Sequence, residues 1–213
     1  MRTRIIFSKT DAMRFTGHLD LHRTWERLIR RAALPLAYTL GYSPHPRINL
    51  ASALPLGFTS DCEVVDIWLE ADILPADIQA ALERAAPPGI GILEVRQVDD
   101  RAPTLQTILE ASDFSITFLN PVPNLEEGCQ ALLSAEKLPR RWRDKPYDLR
   151  PLIIELRPLA YDEQGRQRVA VRLSAREGAT GRPEEVIAAL GGSPEDTRVY
   201  RERLIFREVV PTS

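Results

Sequence analysis

Cysteine is scarce in this sequence, because the 213 residues contain only Cys62 and Cys129, and neither stands in a CxxC pair. Structural zinc sites, dithiol redox centres and iron–sulfur clusters draw on closely spaced cysteines, so the sequence gives no support for any of them. The simplest interpretation is that both thiols are small, buried, apolar side chains. We therefore expect no cofactor and no metal.

Long apolar runs are also missing, and the first residues, Met-Arg-Thr-Arg-Ile-Ile-Phe, lead directly into a strand-like pattern. A membrane helix needs about 20 apolar residues in a row, and a signal peptide needs an apolar core of its own. We therefore expect a cytoplasmic protein with no membrane partner. The sequence also lacks a Walker loop, a Rossmann fingerprint, the HExxH and GxSxG motifs, and the CxxxCxxC cluster of radical-SAM enzymes.

What the sequence does have is an uneven distribution of charge. Residues 1–50 contain nine Lys or Arg against three acids, which gives +6. The whole chain carries −2, so the remaining residues carry −8. Such asymmetry predicts a localised positive surface with an anionic partner, RNA or another polyanion.

The order of elements predicts an α+β chain of two tandem ferredoxin-like domains, residues 1–100 and 112–213. Apolar periodicity and turn residues in the first half indicate the β-α-β-β-α-β unit of that fold. Its predicted elements are strand 2–8, helix 18–33, short strands 36–40 and 47–52, strand 62–70, helix 75–85 and strand 90–98. The second half repeats the plan loosely, with strands 113–119, 151–159, 168–174 and 198–207 and helices 124–136 and 183–190.

The predicted helix 18–33 combines an apolar stripe with a row of arginines. The stripe recurs at three- and four-residue spacing and consists of Leu21, Trp25, Leu28, Ile29 and Ala32. The arginines share another face and are Arg23, Arg27, Arg30 and Arg31. Like charges at this spacing destabilise a helix by a few tenths of a kcal/mol per pair, and guanidinium groups grip phosphate well, so we predict anion binding. A solvated face neutralised by Asp20 and Glu26 is the alternative.

A proline-stiffened turn, Gly41 to Arg47, follows this helix. Its prolines fix the backbone on either side of His45, and the turn presents side chains suited to a nucleotide or other anion: Tyr42, Ser43, His45 and Arg47. We expect Arg14 and His18, next to the start of the helix, to join the same positive surface. His18 and His45 are candidates for an acid/base pair or, without an evident third ligand, for metal binding. A rigid turn whose imidazole caps a carbonyl is the alternative for His45.

A second basic stretch lies in the other half of the chain. Residues 137–150 place basic side chains among Trp142 and Tyr147, a pattern that suits a phosphate backbone and stacked bases. The predicted contacts are Arg140, Arg141, Arg143, Lys145 and Arg150. The loop 176–183 contributes Arg182 just before a predicted helix start, where free N–H groups favour anions. A flexible basic linker and an ordinary helix cap are the alternatives.

Several runs of the sequence resemble the radical-SAM-associated proteins of the DUF2344 family. The longest are RFTGHLDL (14–21), ERLIRRA (26–32), LPLAY (34–38) and GYSPHPR (41–47). Shorter runs are LPLG (54–57) with Ser60 and Glu63, KPYDLRP (145–151) and GRP (181–183). The resemblance implies an accessory protein that works with a radical-SAM partner, in a family often encoded near genes for RNA processing.

These observations predict an RNA-binding accessory module that presents its substrate to a separate radical-SAM protein. The element order also resembles the tandem ferredoxin-like RAMP proteins that process CRISPR RNA, an analogy at the level of the fold alone. One alternative is a metal-independent ribonuclease or RNA-modifying enzyme that uses His18 or His45. Another is a subunit that only docks on the radical-SAM enzyme.

Overall fold

The computed structural model describes residues 1–142 and 145–208, which divide into two compact units. The N-terminal unit is Met1–Ile108, and the C-terminal unit begins at Leu109. Both units combine helices with antiparallel strands, so the α+β class predicted from the sequence is correct. Among the described residues, no helix is both long enough and apolar enough to span a lipid bilayer.

The N-terminal unit contains four strands and three helices. Its strands are β1 (Arg2–Lys9), β2 (Ile48–Leu50), β3 (Phe58–Trp68) and β4 (Ile90–Val98). Its helices are α1 (His18–Arg31), α2 (Pro75–Ala85) and the single turn α3 (Leu105–Ile108). The strands pair in the order β2-β3-β1-β4, and every pairing is antiparallel. β3 begins four residues earlier than the predicted strand 62–70. Of the predicted short strands 36–40 and 47–52, only the second forms a strand, the three-residue β2.

The core of this unit lies between the sheet and the helices α1 and α2. Four residues of the predicted stripe, Leu21, Trp25, Leu28 and Ile29, are each at most 2% exposed, and the fifth, Ala32, is partly buried. The ring of Trp25 meets that of Phe7 on β1 edge to face, with centroids 4.9 Å apart. Burial of such large side chains stabilises the fold by about 1.5–3 kcal/mol each. It also fixes which side of α1 faces water.

A buried ion cluster holds the opposite side of the same sheet. Asp66 on β3 is fully buried and accepts hydrogen bonds from Arg2 Nε at 2.9 Å and from Arg4 Nε at 2.8 Å. The guanidinium of Arg2, itself only 1% exposed, also donates to the carbonyls of Ala102 and Pro103. Since Arg4 pairs directly with Asp66 across the strands, this cluster locks the β1–β3 register.

In its described residues, the C-terminal unit contains seven strands and two α-helices. Its strands are β5 (Leu109–Phe118), β6 (Pro139–Trp142), β7 (Lys145–Asp148), β8 (Ile153–Leu159), β9 (Arg168–Arg176), β10 (Ala179–Thr180) and β11 (Thr197–Phe206). Its helices are α4 (Leu125–Ser134) and α5 (Pro183–Ala189). The main sheet has the order β8-β9-β5-β11, and β10 extends the edge beside β9. β6 and β7 form a separate hairpin between α4 and β8, where the sequence analysis considered a flexible linker.

Breaking the Asp66 cluster tests its weight in the fold. Asp66→Asn keeps the shape of the side chain but leaves the buried charge of Arg2 without its counter-ion. We expect the free energy of unfolding to fall by about 3–5 kcal/mol, the usual cost of leaving a buried charge unpaired. Urea denaturation followed by circular dichroism measures it.

Glu26→Gln is the matched control, because it removes a partner from the solvent-exposed Arg30–Glu26 pair. Exposed pairs contribute about 0–1 kcal/mol, so this variant should unfold almost as the parent does. If Asp66→Asn lowers the free energy of unfolding no more than Glu26→Gln does, the buried cluster does not stabilise the register.

Candidate nucleic-acid interface

Helix α1 presents the predicted row of arginines to solvent. We call Arg23, Arg27, Arg30 and Arg31 the arginine face; all four are exposed. Arg23 lies 3.5 Å from Asp20, and Arg30 lies 2.8 Å from Glu26. Both arginines of these pairs are exposed, and ion pairs at the surface contribute little to stability.

The other two arginines are the more available ones. Within the described part of the chain, no carboxylate forms an ion pair with Arg27 or Arg31. They stand four residues apart, one turn along the same face. Arg31 gains about 0.3–1 kcal/mol from the negative end of the helix dipole, but Arg27 lies further from that end. Two guanidinium groups on adjacent turns therefore face solvent without an ion pair in the described residues.

Residues 37–47 form a hairpin, which we call the tip hairpin. The backbone N–H of Thr39 donates to the carbonyl of His45, and that of Arg47 donates to Ala37, both at 2.9 Å. The hydroxyl of Thr39 accepts the N–H of His45 at 2.9 Å. The predicted turn is thus stiffened by hydrogen bonds as well as by its prolines.

The end of this hairpin is fully open to solvent. Leu40 and Tyr42 have relative exposures of 101% and 105%, and Ser43 and His45 are also exposed. Gly41, with φ of 130°, takes the backbone through a region that favours glycine. An aromatic ring held on a short, hydrogen-bonded hairpin is available for stacking.

Arg47 is positioned by an aromatic platform that the sequence did not reveal. Its guanidinium carbon lies 4.6 Å from the ring centroid of Trp68, and the buried Arg2 approaches the same ring at 5.0 Å. Arg47 stays exposed while its side chain is held against the indole. Trp68 stands 21 positions further along the chain, so no local pattern links the two.

The tip hairpin and the C-terminal end of α1 belong to the same end of the N-terminal unit. The chain leaves α1 at Arg31 and joins β3 where the N–H of Ala37 donates to the carbonyl of Trp68. Trp68 pairs with Arg2, the first residue of β1. The start of α1 lies at the other end, beyond Lys9, the last residue of β1.

This arrangement separates the two candidate histidines. His18 is the first residue of α1, a helix of 14 residues that is about 21 Å long. His45 lies just before β2 in the chain, beyond the end of the sheet at which α1 finishes. The two histidines therefore lie toward opposite ends of α1, and the His18–His45 acid/base pair stays a prediction from the sequence. Within residues 1–142 and 145–208, no three His, Cys, Asp or Glu side chains cluster to hold a metal ion.

A second group of polar residues surrounds the start of α1. Lys9 is fully buried and donates to the carbonyls of Arg14 and Phe58, each at 3.3 Å. Arg14 Nε donates to the carbonyl of Gly57 at 2.8 Å. Arg14 was predicted to bind an anion, but this contact commits part of its guanidinium to holding the loop.

Buried charge near His18 was also missed by the sequence analysis. Glu63 on β3 is 2% exposed and close enough for its charge to raise the pKa of His18. Partial burial and the neighbouring His22 outweigh this effect, so the pKa of His18 is lowered. The only local signal is that Lys9 and Glu63 occupy strand positions where an apolar side chain is expected.

The basic residues predicted to bind an anion in the C-terminal unit make different kinds of contact. Arg150 donates to the carbonyl of Leu133 at 2.7 Å and 3.0 Å and to that of Ile153 at 2.9 Å, so it caps the end of α4 rather than facing an anion. Arg140 lies 3.7 Å from Glu185, and Arg141 is exposed. Lys145 and Arg182, from the two predicted stretches, line one cavity. Arg143 lies outside the described residues.

The pKa of His18 provides a test of this geometry. We expect an NMR titration to give a pKa below that of an ordinary histidine, because partial burial and His22 disfavour the charged imidazolium. Glu63→Gln should lower it further, since the attraction of the carboxylate is lost. The remote, exposed Glu83→Gln should leave it unchanged. An unchanged pKa in Glu63→Gln would contradict the proximity of Glu63.

The sign of the effect on stability follows from the same pKa. Since the folded protein binds a proton at His18 less readily than the unfolded chain, this group favours folding above the ordinary histidine pKa. Its contribution is lost as the pH drops from that value through the lowered pKa of His18 in the folded protein.

Comparison with known proteins finds a matching family and solved structures that resemble this chain. The chain matches the family model described as "Uncharacterized protein conserved in bacteria (DUF2344)" over residues 2–183. No curated protein matches it. A chain in the crystal structure of a Cbf5-Nop10-Gar1 complex is similar at a TM-score of 0.51 and 10% identity, over 97% of this chain and 50% of that one. This protein therefore spans about half the length of that chain.

A second solved structure, a putative glycine cleavage system transcriptional repressor, is similar at a TM-score of only 0.26. The identity is 10%, over 97% of this chain and 98% of the other. That likeness is too low to carry any argument about fold or function. The family match, in contrast, extends over most of the sequence. This chain therefore belongs to the DUF2344 family of uncharacterised bacterial proteins.

Proposed function

We propose that this protein is a cytoplasmic RNA-binding module that works as an accessory to a separate radical-SAM protein. The observation that carries the RNA part is the arginine face, in which Arg27 and Arg31 have no carboxylate partner among the described residues. The exposed tip hairpin lies at the end of the N-terminal unit where α1 finishes. Cations for phosphates and an aromatic ring for a base are thereby combined on one unit.

The chemistry of these side chains favours single-stranded RNA over a small anion. Arginine forks grip phosphate oxygens, and successive arginines along a helix suit a repeating backbone. Tyr42 is available to stack on any base, because every base presents a π-face. Arg47, held on Trp68, adds a further cation near the hairpin.

The proposal includes a tandem ferredoxin-like fold. It is supported by the spatial strand orders β2-β3-β1-β4 and β8-β9-β5-β11. In chain order, a helix follows the first and the third of the four strands in each set. The β6–β7 hairpin is then an insertion in the second domain. Such sheets serve many functions, so the fold alone does not argue for RNA.

The radical-SAM part of the proposal rests on the motif runs that resemble that family. A cluster of that enzyme class takes three closely spaced cysteines, whereas this sequence has two distant ones. The proposal therefore assigns the cluster to the partner protein and RNA binding to this chain.

Removing the two unpaired arginines tests the RNA site. We expect parent protein to bind a single-stranded RNA with an affinity that falls steeply as salt rises. Each lost phosphate contact makes the log–log salt dependence shallower by about 0.7, so Arg27→Ala with Arg31→Ala should reduce the slope by about 1.4. Fluorescence anisotropy over a salt series measures both quantities.

Arg84→Ala is the matched control, since Arg84 is an exposed arginine in the last turn of α2. It should leave affinity and slope unchanged. Parent binding that is independent of salt, or equal effects of the α1 and α2 variants, would refute the proposed site.

Docking on the radical-SAM partner through the tip hairpin is a second candidate function. It is favoured by Leu40, an apolar side chain fully exposed beside Tyr42. Exposed aliphatic and aromatic side chains on a fixed loop are typical of protein interfaces. In that case the tip hairpin inserts into the partner and leaves RNA binding to α1.

Replacing Tyr42 separates the two roles of the tip hairpin. If the ring stacks on a base, Tyr42→Ala should weaken RNA binding by about 1–3 kcal/mol, or roughly 5- to 150-fold. Tyr161→Ala, at a 66% exposed tyrosine of the other unit, is the control. Unchanged RNA affinity with loss of a nuclease-resistant complex with the radical-SAM partner would instead assign the hairpin to docking.

A further inference from the structure

The C-terminal unit contains a cavity of about 460 Å³ beside the β6–β7 hairpin. This volume falls within the range of about 300–1,000 Å³ typical of small-molecule sites. Its lining comes from β7, the turn after it and the loop before α5: Lys145, Tyr147, Asp148, Leu152, Gly178, Ala179, Thr180 and Arg182. All of these belong to the C-terminal unit, so the cavity is distinct from the arginine face.

Positive charge predominates in the lining. The lining contains two cations, Lys145 and Arg182, and one carboxylate, that of Asp148. Asp148 accepts the backbone N–H groups of Leu138 at 2.8 Å and Arg150 at 3.0 Å, and these bonds lower its pKa. Its oxygen is thus engaged with the backbone at the base of the hairpin. Lys145 and Arg182 are the cationic groups of the lining, and the guanidinium of Arg182 also interacts with the Tyr147 hydroxyl and with the carboxylate of Glu184.

Tyr147 contributes an aromatic ring and a hydroxyl shielded from solvent. Burial and the nearby carboxylate of Glu185 raise its pKa, while the guanidinium of Arg182 beside the hydroxyl opposes that shift. The phenol therefore stays neutral at physiological pH and keeps its proton as a hydrogen-bond donor. Aromatic, hydroxyl and guanidinium groups lie together at this side of the cavity.

Another part of the lining is made of small residues. Gly178, Ala179 and Thr180 carry no side chain larger than a hydroxyethyl group. Their backbone is fixed: the carbonyl of Ala179 accepts the hydroxyl of Ser174 at 2.6 Å, and β10 pairs with β9. This low wall leaves room for a flat group.

Gly181 allows this wall to approach the rest of the unit. A Cβ at that position would lie 3.1 Å from Leu173 Cβ and 3.2 Å from the carbonyl oxygen of Leu152. Since Leu152 itself lines the cavity, the absence of a side chain at Gly181 sets the spacing of the site. The cavity is therefore built into the fold rather than left between mobile side chains.

We propose that this cavity binds a nucleoside monophosphate unit, with the phosphate on Lys145 and Arg182 and the base between Tyr147 and the Gly178–Thr180 wall. The inference does not rest on the proposed RNA site, because it uses other residues in the other unit. The unit is either a free nucleotide or the phosphorylated end of an RNA, two sources of one chemistry. Cations account for the phosphate, and an aromatic ring with a flat wall accounts for the base.

Titration calorimetry with AMP tests the proposal on the full chain. We expect AMP to bind more tightly than either inorganic phosphate or adenosine, because each lacks one half of the recognised group. Lys145→Ala and Arg182→Ala should each weaken AMP binding about tenfold or more, since each removes a charge-assisted hydrogen bond. Arg198→Ala, an exposed arginine of the same unit, should have no effect.

Thr180→Phe tests the cavity itself, because it fills the space without changing any charge. It should abolish AMP binding, with the thermal unfolding midpoint as the control for folding. If that variant does not fold, Ala179→Leu makes the same test. AMP binding no tighter than that of phosphate, or binding retained by a folded filled variant, would overturn the proposal.

Competition distinguishes the source of the nucleotide. A 5′-phosphorylated RNA that displaces AMP, while the unphosphorylated RNA does not, assigns the cavity to an RNA end; no displacement by either assigns it to a free nucleotide. Arg27→Ala with Arg31→Ala should leave AMP binding unchanged. A parent protein that binds RNA with the expected salt dependence but does not bind AMP would refute this site alone. A parent protein that binds AMP but shows no salt-dependent RNA binding would refute the arginine face alone.

Discussion

The register between β1 and β3 is the constraint on which the N-terminal unit depends, and the buried Asp66 fixes it. Its carboxylate takes hydrogen bonds from Arg2 and Arg4, and Arg2 continues to the carbonyls of residues 102 and 103. A slip of one residue would turn these charges into the apolar core and bring Phe7 to the wrong face. That register places α1 over one face and Trp68 at the end where the tip hairpin leaves.

Most arginines of this protein serve its own structure, and this decides which ones are available to a ligand. Arg14 and Arg150 donate to backbone carbonyls, and Arg2 neutralises a buried carboxylate. A row across the C-terminal sheet alternates in sign and neutralises itself: Glu155, Arg172, Asp113 and Arg203. What distinguishes the arginine face is that four exposed guanidinium groups lie on one helix and that two of them, Arg27 and Arg31, form no ion pair in the described chain.

The two candidate sites use the same chemistry on different supports. On the N-terminal unit, cations lie along an exposed helix and an aromatic ring stands on a hairpin, an open arrangement that suits a long strand. In the C-terminal unit, two cations and a tyrosine line a concave site of a volume that suits a single nucleotide. A chain with both would hold an RNA along one unit and recognise a nucleotide in the other.

Local physics in the sequence determined the helices, most strands and the solvent-facing arginines. The stripe of Leu21, Trp25 and Leu28 sets the buried side of α1, and the arginines must then face water. Tertiary structure alone decided which arginines donate hydrogen bonds to backbone carbonyls. It also decided that Trp68 supports Arg47 and that His18 and His45 lie toward opposite ends of α1. It also joined Lys145 with Arg182 in one cavity. These outcomes depend on contacts between residues distant in sequence, which short-range periodicity does not encode.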